Sequence, residues 1–130
     1  MLLRVATDED VVSIANIHHV STHVGYSAFL PAKVLQSVTV ESRLPRWRER
    51  FTEEQRIIVA SEEGVDIGFA YLIDSPEFLC RDQDYPEISH LFVIPEHWNR
   101  GVGRALCEAV CKHVRENGGD RVLVLSLIHI

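Results

Sequence analysis

Three cysteines in 130 residues are too few, and odd in number, for a disulfide framework. A reducing cytosol is therefore the expected compartment. No apolar run approaches the ~18 residues that a membrane-spanning helix needs, so no membrane partner is expected. The opening MLLRVATDEDVV lacks the basic stretch and long apolar core of a secretory signal. Positive charge is scarce: 13 Lys and Arg stand against 19 Asp and Glu, a net charge of -6. A broad electrostatic grip on nucleic acid is disfavoured by that balance. An anionic ligand would have to be held locally, by backbone N–H groups and a few arginines. Internal repeats, low-complexity tracts and linkers are also missing. What remains is 46% apolar and 25% charged residues, a globular composition at a length suited to one domain.

Leu2–Ala6 reads as a strand, and Val11, Ile14, Ala15, Ile17 and His18 keep helical spacing up to Thr22–Gly25. Tyr26–Pro31 is a loop, with Pro31 suited to the first turn of a second helix. Val40–Phe51 is arginine-rich, with Leu44, Trp47 and Phe51 on one face. Arg56–Ser61 and Val65–Ile73 read as a hairpin around Glu62-Glu63-Gly64. Ser75–Tyr85 is polar and irregular, and Glu87–Ile94 is a strand. Val102–Asn117 is a helix stopped by Asn117-Gly118-Gly119, and a last strand starts at Arg121. The predicted order is β-α-α-β-β-β-α-β, an α/β fold with a mixed sheet whose last β-α-β can form a parallel unit.

The chemistry concentrates in Glu87–Ala105, EISHLFVIPEHWNRGVGRA. A strand enters a short turn, and Gly101 and Gly103 then open a helix. Glycines at alternate positions let a ligand approach the backbone, and free N–H groups at a helix N-terminus cradle phosphate. Arg100 and Arg104 can add charge-assisted bonds. This is not a P-loop, because no Gly-Lys-Ser/Thr follows. Nor is it the dinucleotide GxGxxG, since Leu106 holds the third glycine position.

Trp98-Asn99-Arg100-Gly101-Val102-Gly103 resembles motif A of the GNAT (Gcn5-related) N-acetyltransferases, Gln/Arg-x-x-Gly-x-Gly/Ala, with Trp98 in place of the usual Gln or Arg. The similarity extends to RVATDEDVVSIANIHHVS, YSAFLPAKVL, VDIGFAYL and LFVIPEHWNRGVGRAL, and covers nearly all of residues 2–124. The resemblance implies the GNAT acyl-CoA N-acyltransferase fold. It also implies acetyl-CoA as cosubstrate and an amine acceptor, of a small molecule or a protein. The amides of Asn99, Arg100, Gly101, Val102, Gly103 and Arg104 would hold the pyrophosphate. Leu91, Phe92 and Val93 would pair through their backbone with pantetheine, and a main-chain N–H there would polarise the thioester.

The resemblance also proposes Glu87 as general base, because it lies 14 residues before Gly101, the spacing of the glutamate base in the histone acetyltransferase branch. The competing reading is an exposed glutamate at a strand start. His90 is the other candidate base, and strict alternation would place it on the face opposite Glu87. His18, His19 and His23 could border the acceptor site, with surface positions the favoured reading. Tyr26, Phe29 and Trp47 fall either in the acceptor wall or in the core. Cys107 and Cys111 read as helix-face fillers, with no metal site around them. Arg43, Arg46, Arg48 and Arg50 read as a solvated face. A non-catalytic CoA-binding or regulatory module of the same fold is the alternative function.

Relative to its family the chain is expected to lack a last helix, with its thiolate-protonating tyrosine, and two strands. Residues 125–130, LSLIHI, match the translation of a transposase-library sequencing adapter. The expectation is a domain over 1–124 that is incomplete at its C-terminus, followed by read-through, and a chain of weak or no activity. The resemblance allows a homodimer in the full-length protein.

Overall fold

The computed structural model describes residues 1–52, 56–74, 86–119 and 121–124. The expectations for Ser75–Tyr85 and for residues 125–130 fall outside them. Strand β1 (Leu2–Val5) leads through a 3₁₀ turn at Asp8–Asp10 into α1 (Val11–Tyr26), α2 (Ala32–Ser37) and α3 (Val40–Thr52). Strands β2 (Arg56–Glu62), β3 (Val65–Asp74) and β4 (Pro86–Val93) follow, then α4 (Val102–Glu116) and β5 (Leu123–Val124). The sheet order is β1-β2-β3-β4-β5; the first four are antiparallel, and β5 runs parallel to β4 through Glu87↔Leu123 and Ile88↔Val124. The mixed sheet and the parallel closing unit agree with the sequence reading.

The order of helices differs from it. Three helices rather than two separate β1 from β2. Val38 closes α2 in an extended conformation (φ -105°, ψ 124°). A reciprocal cap then starts α3: the Ser42 amide donates to Thr39 Oγ1 at 3.0 Å and the Thr39 amide to Ser42 Oγ at 2.9 Å. Helix α1 also runs on to Tyr26. Thr22 does not end it, because its hydroxyl donates back to the His18 carbonyl at 2.8 Å inside the helix.

The sheet buries both faces. Helix α4 covers one, with Val102, Leu106, Val110 and Val114 against Ile58, Ala60, Ile67, Ala70, Leu72 and Ile88. Helices α1 and α3 cover the other, where Ile14, Ile17 and Trp47 meet Ile57, Val59, Phe69 and Tyr71. The alternation of Ile57, Ile58, Val59 and Ala60 between these clusters is the two-residue period of a strand buried on both sides. At the sheet's outer end Arg4 ties β1 to α1 and β3, with Asp10 at 2.8 Å and Asp66 at 3.2 Å. Ser13 adds a bond to Asp66 at 2.7 Å. Helix α4 stops as Asn117-Gly118-Gly119 predicts. Gly118 takes φ 87°, its amide bonds the Arg115 carbonyl at 3.1 Å, and the Gly119 amide bonds the Val114 carbonyl at 2.9 Å. That pair of bonds satisfies carbonyls that the helix end leaves open.

At Gly68, β3 lies tightly against β4 and α4. A Cβ there would meet the Phe92 carbonyl oxygen at 3.0 Å and Leu106 Cδ1 at 3.2 Å. Gly68→Ala is expected to destabilise by about 1–3 kcal/mol through overpacking. Gly25→Ala, where a Cβ meets nothing within 4 Å, should be neutral or gain about 0.5–1 kcal/mol in helix propensity. Leu106→Ala, at a fully buried position, should cost about 2–5 kcal/mol. Urea unfolding of the three variants checks the ordering.

Candidate active site

One irregularity in β4 decides which side chains share a face. Leu72 pairs with Ile88 but Tyr71 pairs with His90, so Ser89 is an extra residue and β4 bulges there. Ile88 therefore faces the α4 core, while His90 sits among Trp47, Tyr71 and Phe92 on the α1–α3 side. Glu87 pairs with Ile73, which packs on the same α1–α3 side. Glu87 and His90 thus share a face, and the expectation that alternation would separate them is corrected by the bulge. The reading of Glu87 as an exposed strand-start residue is also corrected, since it is only 5% exposed.

At the far end of β4 the chain passes a 3₁₀ turn at Pro95–His97 and turns into α4. Asn99 takes φ 61° and Gly101 φ 82°, a left-handed conformation that costs a side-chain-bearing residue about 1–2 kcal/mol. The Ala105 amide, bonded to the Gly101 carbonyl at 3.0 Å, makes the first bond of the helix ladder. The amides of Val102, Gly103 and Arg104 lie ahead of it and have no acceptor within the helix. A Cβ built on Gly101 or Gly103 would meet no atom within 4 Å, so the space at these amides is open. Arg100 is exposed. Arg104 pairs with Glu108 at 3.1 Å with both side chains largely solvated, a contact weak enough to exchange for a better anion. The expected cradle residues are therefore brought together on one open turn, and it suits a phosphate-bearing group.

Three cavities adjoin one another from this turn inwards. The first is bounded by Val93, Trp98, Asn99, Gly101, Val102, Gly103 and Arg104. The second shares Val93 and Trp98 with it and adds Ser21, Tyr26, Leu91 and Phe92. Consecutive strand residues point to opposite faces, so a space touching Leu91, Phe92 and Val93 alike runs along the edge of β4, where backbone groups are accessible. Among the described residues β5 covers that edge only at Glu87 and Ile88. The third cavity, of about 430 Å³, shares Tyr26 and Phe92 with the second and reaches His18, Thr22, Arg43, Ser89 and His90. Glu87 borders none of the three.

The wall of the third cavity is a cluster of rings. His18 lies 5.6 Å from Trp47, 5.1 Å from His90 and 5.0 Å from Phe92, centroid to centroid. The Trp47 indole N–H donates to His18 Nδ1 at 3.2 Å, which leaves the proton of the neutral ring on Nε2. Burial, reinforced by Arg43 and other cationic neighbours, lowers the His18 pKa to about 3. Burial together with Arg50 and Arg43 lowers that of His90 to about 4. Both rings are hydrogen-bonding groups rather than cations at neutral pH.

Several assignments change accordingly. His18 and His23 border the cavity rather than lying on the open surface. Trp47 is core, 1% exposed, Tyr26 is wall, and Phe29 is exposed. Arg46 and Arg48 are solvated as expected, but Arg43 and Arg50 turn inward. Arg43 faces the cavity, and Arg50 lies over Trp47 at 4.4 Å from the ring centroid. The signal was present: Arg43 and Arg50 stand four before and three after buried Trp47, on its helix face. Cys107 and Cys111 are free, partly buried helix residues. Among the described residues no group of three or more His, Cys, Asp or Glu is placed to hold a metal ion. No described helix is long and apolar enough to cross a membrane.

The profile of the acetyltransferase (GNAT) family matches residues 22–128. The chain belongs to that family. Solved structures share the GNAT fold at low identity. The ribosomal-protein-alanine N-acetyltransferase of Brucella melitensis biovar Abortus 2308 aligns with a TM-score of 0.66 and 14% identity, over 95% of this chain and 77% of its own. An aminoglycoside antibiotic 6'-N-acetyltransferase of Acinetobacter haemolyticus gives 0.72 and 11%, over 98% and 81%. The PaiA N-acetyltransferase of Thermoplasma acidophilum, solved in complex with coenzyme A, gives 0.67 and 17%, over 91% and 75%. No curated protein matches the chain by sequence.

Two outcomes follow for this GNAT chain. Gly103→Ala should leave stability unchanged or raise it by about 0.5–1 kcal/mol, whereas Gly101→Ala should cost about 1–2 kcal/mol; paired thermal melts check this. The second concerns pH. His18 and His90 start from 6.5 and are lowered to about 3 and about 4 in the folded protein, so the unfolded chain takes up protons first as pH falls. Stability should be level above about pH 6.5 and drop progressively as pH falls through about 4 towards about 3. His90→Gln should make the early part of that decline shallower in melts recorded across this range.

Proposed function

We propose that the protein is an N-acetyltransferase that uses acetyl-CoA and acetylates a primary amine of a small molecule or protein by direct attack. The observation that carries this reading is the series of three adjoining cavities, from the amides at the start of α4, along the edge of β4, to the ring-lined pocket. The N-acetyltransferase names of the similar structures support an amine as acceptor. The coenzyme A complex of one supports an acyl-CoA as donor.

The amides of Asn99, Arg100, Gly101, Val102, Gly103 and Arg104, with the two guanidinium groups, would hold the pyrophosphate. The edge at Leu91, Phe92 and Val93 would pair with pantetheine through main-chain bonds, to which Val93 would contribute its N–H, since its carbonyl already accepts from Trp98 and Ser21. Bound acetyl-CoA supplies an activated acyl thioester. A β4 amide N–H would donate to the thioester oxygen. An alkylammonium must lose a proton before it can attack. Glu87 is the proposed acceptor of that proton, through water, because it stands on the pocket's side of the sheet without bordering the pocket. His90, which does border it, is the alternative, although its low pKa makes it a weak base. A cytoplasmic location and a homodimer belong to the same proposal.

Isothermal titration of CoA into the protein should show saturable binding, and its absence would reject the reading. Glu87→Gln should lower the acetyl-transfer rate about 10²–10⁴-fold with little change in CoA affinity. An unaltered pH–rate profile in that variant would clear Glu87 of the role and direct attention to His90. CoA binding without thiol release across a panel of amines would instead identify a non-catalytic CoA-binding module.

A further inference from the structure

The third cavity holds a cation with no counter-charge among the described residues. Arg43 Nη2 donates to Thr22 Oγ1 at 2.9 Å. Its Nη1 lies 3.3 Å from His18 Nδ1 and 3.2 Å from Nε2, a near-equal pair of distances that places it over the ring and out of line with either nitrogen's lone pair. Its Nε is buried and has no hydrogen-bond partner. Among the described residues no carboxylate pairs with Arg43, whereas Arg4 is held by Asp10 and Asp66, and Arg46 by Glu49. A half-buried guanidinium with no opposite charge beside it is costly, and its forked donors match a carboxylate.

The rest of the cavity narrows the occupant. Among the described residues no Asp or Glu borders it, and Leu30, Val34, Leu35, Val38 and Phe92 provide an apolar wall. The neutral His18 and His90 add no negative charge. A polycationic acceptor would meet a half-buried positive charge and none of the described carboxylates there. An apolar body carrying one carboxylate would satisfy both the wall and Arg43.

We infer that Arg43 anchors a carboxylate of the acceptor, so that the amines this protein acetylates carry an acid group on a compact apolar body. This inference rests on reading the cavity as the acceptor site of a transferase. Arg43 would be a specificity-determining residue; the acetyl transfer itself needs no group from it.

Calorimetric titration of 3-phenylpropionate and of its neutral amide, 3-phenylpropionamide, tests the anchor without relying on catalysis. Wild-type protein should bind the acid at least about tenfold more tightly than the amide, the size of a charged hydrogen-bond contribution. Arg43→Gln should abolish that preference and Arg43→Lys should restore part of it. Equal binding of acid and amide, no binding of the acid, or an undiminished preference in a folded Arg43→Gln would each overturn the inference. The wild-type comparison decides alone if Arg43→Gln does not fold. CoA titrated into the same wild-type samples separates the two readings. CoA binding with no acid preference removes the anchor and leaves the transferase. Acid preference without CoA binding keeps an anion site at Arg43 and removes the transferase.

Discussion

The bulge at Ser89 is the constraint on which the remaining arrangement depends. Without it, Ile88 and His90 would lie on one face of β4, and either the α4 core would lose a buried isoleucine or the ring cluster would lose its histidine. One inserted residue lets a single strand serve both cores. It also brings Glu87 to the side that holds the pocket. The position of every group discussed for proton transfer follows from that local irregularity.

The opposite end of β4 shows a different division of labour. The turn into α4 contributes little packing and offers main-chain donors, with left-handed Asn99 and Gly101 setting their direction. The pocket side contributes side chains: histidines held neutral by burial, an indole that fixes one of them by hydrogen bond, and an arginine lying over its ring. A cofactor grip made of backbone depends on few side chains. A pocket made of side chains can change its preference through a handful of substitutions.

Much of this was legible in the chain itself. The hairpin of Arg56–Ser61 and Val65–Ile73, the glycine stop after α4 and the Trp98–Gly103 string are local patterns, and each maps to a local structure. The facing of Glu87 and His90 was not legible, because a bulge is decided by pairing with β3 and leaves no mark in the composition of β4. Arg43 was misjudged for a related reason. It belongs to a segment rich in exposed arginine and glutamate, yet the helix face that carries Trp47 inward carries Arg43 with it. The split of residues 31–52 into two helices turned on Thr39 and Ser42 capping each other, a signal weaker than the apolar periodicity around it.

One acceptor atom links regions that are distant in the chain. The Val93 carbonyl takes the Trp98 indole N–H at 2.6 Å and the Ser21 hydroxyl at 3.0 Å. Both of its lone pairs are committed, so this oxygen has none to spare for a guest. The long first helix and the glycine turn are fastened to the same point at the end of β4. A shift of that helix, which carries His18 and Thr22 within one turn of Ser21, would pull on the turn that presents the amides. The two ends of the passage are in this sense hung from one peg.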